Sequence, residues 1–276
     1  MRLTPDVLRV PAFRRVWLAS VISNGGNWLQ IVASGWLILK ATGSPAAVGA
    51  LALVTRAPAI ALSAYAGRLA DRHDRRWVGI CTFLLQAVAA GALAVVTLVA
   101  GVNVIAIYAL TFMVGVGFAL GLPAMLALIP SLVPRSRLSQ AVSLNAAGIN
   151  VARLLGPAIG GLTLALFGAT VCFAVNALSF LALVGVLMAL PARPAGADRG
   201  GVRMREALGY AARDPAMRRL LLGIALFTAL ASPMQELAPV VADRLDVGAG
   251  GLGFLLGAMG GGALLGAWLL ERLGAA

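Results

Sequence analysis

Residues 67–76, Gly67-Arg68-Leu69-Ala70-Asp71-Arg72-His73-Asp74-Arg75-Arg76, carry the densest polar chemistry in this chain. Asp71 and Asp74 have the D-x-x-D spacing with which paired carboxylates hold a magnesium diphosphate, as a membrane prenyltransferase would. Arg72, His73, Arg75 and Arg76 crowd that pair with positive charge, and no second acidic motif follows. His73 is the single histidine, so a His-based metal cluster is excluded. The same residues suit a mechanical role. Gly67 would end a helix and let a neighbour approach closely. Asp71 could pair with an arginine or face a helix N-terminus, a latch that breaks when two halves of a protein rock.

The remaining chemistry lies inside apolar runs, where an ionisable group is costly and points to function. Arg56, Arg153 and Glu236 are such groups, and Glu236 is the candidate for proton coupling. Asn24, Asn27 and Gln30 recur every third residue on one helical face, which should turn inward. Together with Arg56 and Asn145 they are the candidates for lining a substrate cavity. Interhelical hydrogen bonding without substrate contact is the competing reading. No G-x-x-x-x-G-K-S/T sequence occurs and Lys40 is the sole lysine, so no nucleotide motor, ATPase partner or cofactor is expected. Energy would come from an ion gradient.

The elements that must carry these groups follow from composition. The 276 residues are 61% hydrophobic and 12% charged, with a net charge of +12. A soluble domain has about twice that charged fraction, so a soluble enzyme and a disordered chain are excluded. Cys81 and Cys172 both lie in apolar runs, so no disulfide framework is indicated. Eight runs reach the length of roughly 20 residues that a membrane helix needs: 14–39, 46–67, 77–100, 104–129, 139–166, 169–190, 218–241 and 248–271. None alternates as a barrel strand would. The predicted fold is therefore all-α, a polytopic membrane helical bundle. With the N-terminus inside, 18 of the 22 basic residues fall on the cytoplasmic side and only Lys40 and Arg244 on the other. This charge faces anionic inner-leaflet lipid and requires no nucleic acid. Residues 191–217 open with Pro191-Ala192-Arg193-Pro194 and read as a cytoplasmic linker with a basic amphipathic helix over 202–212. The linker separates a six-helix bundle, 12–190, from two further helices in 218–276. Glycines crowd span 8, which ends in Glu271-Arg272, as span 2 ends in Asp71-Arg72.

The spacing G-x-x-x-D-R-x-x-R-R over 67–76 resembles the loop 2–3 signature of the major facilitator superfamily, with Asp74 where that signature usually has glycine. In span 5, Gly148 and Gly156-Pro157-Ala158-Ile159-Gly160-Gly161 resemble the superfamily's antiporter signature, typical of exporters. Pro157 would bend that helix, and Gly156 and Gly160 would form a close-packing face. Residues 36–49, 130–145 and 176–180 resemble the branch holding the enterobactin exporter and macrolide-efflux-like proteins. The resemblance implies an alternating-access secondary transporter in the inner membrane, a proton-coupled exporter of siderophore- or drug-like small molecules, and not an enzyme. It implies twelve spans in a complete member. The chain would then stop after the eighth and not transport efficiently alone, and a non-transporting remnant is a third reading.

Overall fold

The computed structural model describes residues 6–191, 213–220, 222, 223, 226 and 237–274. Most of the expected linker, most of span 7 and the coupling candidate Glu236 lie outside them. The described residues are helical with no strands, an all-α bundle. The helices are α1 Pro11–Thr42, α2 Pro45–Ala61, α3 Ser63–Arg72, α4 Arg75–Ala100, α5 Val104–Ser131, α6 Leu138–Met188, α7 Ala238–Arg244 and α8 Gly248–Gly274.

Three helices among the described residues, α4, α5 and α6 with its preceding turn, are long and apolar enough to cross a membrane. Taken together, α2 and α3 meet the same length and composition, with a bend of 51° between them. The bend follows Pro58, which cannot donate to the helical ladder. One turn on, Ser63 Oγ donates to the Ile60 carbonyl at 3.0 Å and supplies a local alternative to the helix. Thus the expected single span 46–67 is two helices, and Gly67 lies within α3, not at a helix end. α1 has ample length, 32 residues, but Asn24, Asn27 and Gln30 lower its mean hydropathy.

Spans 5 and 6 are the two arms of α6. They meet at Gly168, whose φ of 80° and ψ of 174° suit glycine alone. Cys172 Sγ stands 4.0 Å from the Gly160 carbonyl. A straight helix would hold residues twelve apart at about 18 Å, so the arms fold back on each other. Gly101-Val102-Asn103 joins α4 to α5 with similar economy, and Asn103 caps α5 by accepting from Ala106 N at 3.0 Å.

α1 packs most heavily on α6. α4 joins α5 to α6, while α2 and α3 lie on α5. The surface remains apolar: Ile60 is 82% exposed and Ile105 80% exposed. Such faces, spread over several helices, suit lipid contact and not water.

Candidate functional site

Lipid is as apolar as a leucine side chain, so these helices associate by close approach and polar contacts. Gly26 shows the first device. A Cβ on it would lie 2.6 Å from Ser179 Oγ and 2.7 Å from Asn176 Oδ1. That approach lets Asn176 Nδ2 donate to Gln30 Oε1 at 2.8 Å, a buried bond between α1 and the second arm of α6. Gln30 is thereby committed to helix packing.

The first arm of α6 has two glycine faces. Gly148 receives Trp17 and Val21, Gly156 receives Trp28, and Gly160 meets the backbone of Trp28 and Leu29, all from α1. Trp17 Nε1 also donates to the Leu144 carbonyl at 3.0 Å. Gly161 points elsewhere. It crosses Gly253 of α8 backbone to backbone, and a Cβ on Gly253 would stand 3.1 Å from Gly161 Cα. Ala158 meets Gly257, and Ala165 meets Gly250. Rising numbers on one helix pair with falling numbers on the other, so α8 runs antiparallel to this arm. Pro157 is buried within the same arm.

The polar run 67–76 divides among three tasks. A Cβ on Gly67 would meet nothing within 4 Å, so the close approach expected there is absent. Asp71 and Arg72 are exposed on the last turn of α3, and Asp71 has no ion-pair partner among the described residues. Asp74 is the N-cap of α4, its Oδ1 accepting from Arg76 N at 2.9 Å. Arg75 Nη1 donates to the Ala127 carbonyl of α5 at 3.4 Å. Arg76 donates from Nε to the Leu187 carbonyl at 2.8 Å and from Nη2 to the Met188 carbonyl at 2.7 Å. A cation thus sits on the last carbonyls of α6, where the helix dipole is negative.

A cavity of about 80 Å³ opens between α1, α4, α5 and α6. Its polar lining is Ser20, Ser23, Asn24, Asn27, Gln86 and Asn145. Three of the five cavity candidates therefore meet here; Gln30 and Arg56 are not part of the lining. Arg56 on α2 and Arg153 on α6 are exposed on their helices. Phe83, Phe118, Met125 and Leu183 supply apolar wall. Gln86 escaped the sequence reading because it is one amide in an apolar run. Gly117 and Gly121 form a G-x-x-x-G that could have indicated it. A Cβ on Gly117 would lie 2.6 Å from Gln86 Cγ, and one on Gly121 2.6 Å from Thr82 Oγ1.

At the end of the bundle away from residues 67–76, Pro239 of α7 packs against Gly35 of α1, and Lys40 Nζ reaches Asp243 Oδ1 at 2.6 Å.

Residues 3–276 match the family described as transmembrane secretion effector. The multidrug efflux pump Tap of Mycolicibacterium fortuitum is 28% identical over 91% of this chain and 64% of its own length. The enterobactin exporter EntS of Shigella boydii serotype 18 is 32% identical over 95% of this chain and 64% of its own. Its counterpart in Escherichia coli O1:K1 is 31% identical with the same coverage. The chain thus spans just under two thirds of the length of these curated relatives, which are transporters and not enzymes.

Proposed function

Because the chain belongs to the transmembrane secretion effector family of the major facilitator superfamily, we propose that it serves a secondary exporter of small molecules working by alternating access. The observation that carries this reading is the cavity: hydroxyls and amides from α1, α4 and α6 converge inside a bundle whose outer surface is apolar. Its similarity to a multidrug efflux pump and to enterobactin exporters makes drug-like and siderophore-like molecules the substrate classes to test. Prenyl transfer is disfavoured, because Asp74 is occupied in capping α4.

In this reading the protein is a multi-pass protein of the inner membrane with its N-terminus in the cytoplasm, and its arginines face anionic inner-leaflet lipid. Residues 12–190 form one bundle, 191–217 the linker, and 218–276 the start of a second bundle. The Gly161–Gly253 crossing and the Lys40–Asp243 pair hold the outer side together. Asp71 is the latch of the inner side, unpaired while that side is open. Gly148, Arg153, Gly156, Pro157, Gly160 and Gly161 form the seal along α6. Glu236 is the candidate proton carrier.

The test is ethidium efflux in cells lacking their own pumps and expressing the gene product that carries these residues. Efflux that stops on addition of a protonophore, and is lost in Asp71→Asn at unchanged expression, supports the reading. Ethidium accumulation equal to that of pump-less cells overturns it.

A further inference from the structure

We infer that the cavity between α1, α4, α5 and α6 is a subsite for a neutral hydrogen-bond donor carried on an apolar ring, such as a phenol or an anilide, and that it excludes anions. This rests on the export reading and names the substrate class of the same cavity.

Gln86 is only 1% exposed. Its Nε2 stands 3.2 Å from the Thr82 carbonyl, which can only accept. The amide orientation is therefore fixed by chemistry, with nitrogen toward Thr82. Gln86 Oε1 is left with no donor, as is the hydroxyl of Ser20, which is 8% exposed. Of the four buried side-chain atoms without a partner among the described residues, two belong to residues lining this one cavity. A buried acceptor without a donor is destabilising, and a ligand O–H or N–H removes that penalty. Asn24 points the same way: its Nδ2 is engaged with the Ser20 carbonyl at 2.8 Å, which leaves its own carbonyl as an acceptor.

Charge and shape select the ligand as well. Among the described residues, none that lines the cavity is charged. A carboxylate or sulfonate would enter without a counter-charge and lose its hydration. Phe83 and Phe118 flank the amides and suit a flat ring. The cavity is partly open, and its volume of about 80 Å³ lies well below the range of about 300–1,000 Å³ that holds a whole drug-sized molecule, so it would take only the donor-bearing edge of a ring. Gly117 and Gly121 let α5 approach Gln86 and Thr82 closely.

The experiment measures equilibrium binding of 2-naphthol, 2-methoxynaphthalene and 2-naphthoate to the purified gene product in nanodiscs, each against empty nanodiscs. The three share a ring and differ in donor and charge. We expect 2-naphthol to bind about tenfold more tightly than its methyl ether, the worth of one buried hydrogen bond. Naphthoate should not exceed empty nanodiscs. Gln86→Met should abolish the naphthol-over-ether preference while ether binding persists. Ser20→Ala, a smaller change, should reduce that preference about threefold. Equal affinity for naphthol and ether, naphthoate binding as tight as naphthol, no binding above empty nanodiscs, or a preference surviving both variants would each overturn the inference. Ethidium efflux from pump-less cells expressing the same gene product reports separately on export. Efflux without a donor preference removes the subsite alone, and a donor preference without efflux removes the exporter reading alone.

Discussion

Lys40 Nζ lies 2.6 Å from Asp243 Oδ1 and 4.9 Å from the centroid of the Trp36 ring. The sole lysine of the chain thus ties the end of α1 to α7, across 203 positions of sequence. Both side chains are about half exposed, and an exposed ion pair contributes only about 0–1 kcal/mol. The pair is therefore weak enough to open and close. Pro239, buried against Gly35 beside it, reports on that opening. In a Cys81→Ser background, Pro239→Cys should be labelled about two- to fivefold faster by an impermeant maleimide when either Lys40→Asp or Asp243→Lys is added. The double reversal should return the rate to that of the parent. A double reversal as fast as the singles would show that the pair does not hold this contact.

Gly26 and Asn176 give a stability prediction in the middle of the bundle. Gly26→Ala forces a methyl toward Ser179 Oγ and Asn176 Oδ1. Neither atom sits at the end of a long flexible chain, so relief requires moving α1 from α6. Overpacking of this kind costs about 1–3 kcal/mol. The thermal midpoint in detergent should fall for Gly26→Ala and stay level for Gly25→Ala, where a Cβ would meet nothing within 4 Å. Equal midpoints for the two variants would contradict the close approach.

The buried amide pair can be measured on its own. Gln30→Leu and Asn176→Leu, alone and together, form a double-mutant cycle across one 2.8 Å hydrogen bond. The coupling should be about 0.6–1.7 kcal/mol, the range for polar pairs between membrane helices. A coupling indistinguishable from zero would make the bond incidental to packing.

These relationships mark how far the sequence could be read. Run length and absent alternation were enough for an all-α membrane bundle, because lipid leaves the backbone no other partner. The break at Leu62 was not legible, since a proline fixes where a hydrogen bond is missing but not where the chain bends. The polar stripe of α1 was visible as a stripe, yet spacing cannot say which neighbour each side chain meets. Asn24 and Asn27 reach the cavity, whereas Gln30, a turn further on, meets Asn176. The glycines of α6 were legible as a close-packing motif. That Gly156 and Gly160 face α1 while Gly161 faces α8 depends on a rotation of one residue, about 100°, that only the packed bundle fixes.

Arg76 should matter through geometry as well as charge. Its Nε and Nη2 bond two successive carbonyls at the end of α6, which a lysine cannot match with one ammonium. Arg76→Ala removes two charge-assisted bonds from a partly buried site and should cost about 2–4 kcal/mol. Arg76→Lys should recover less than half of this. Thermal unfolding of the purified protein provides the measurement, and a lysine variant as stable as the parent would reduce the contact to simple charge.

Asp74 is where this chain departs from the glycine usual in the loop 2–3 signature, and its structural role explains why both residues serve. As N-cap of α4 its carboxylate accepts from the Arg76 amide at 2.9 Å, placing a negative charge at a helix start that carries two arginines. Glycine is the other residue tolerated at such a position, because it lets water reach the free amides. Asp74→Gly should therefore cost only a few tenths of a kcal/mol, whereas Asp74→Ala should cost about 1 kcal/mol. Asp74→Asn, which keeps the acceptor and loses only the charge, should cost the least of the three. A catalytic carboxylate would give a different order, since glycine would then be as damaging to activity as alanine. Comparing the three variants in thermal stability and in ethidium efflux separates the two roles. Stability falling in the order Asn, Gly, Ala with efflux following it supports the cap, while loss of efflux in Gly and Asn at parental stability would return Asp74 to the chemistry of the site.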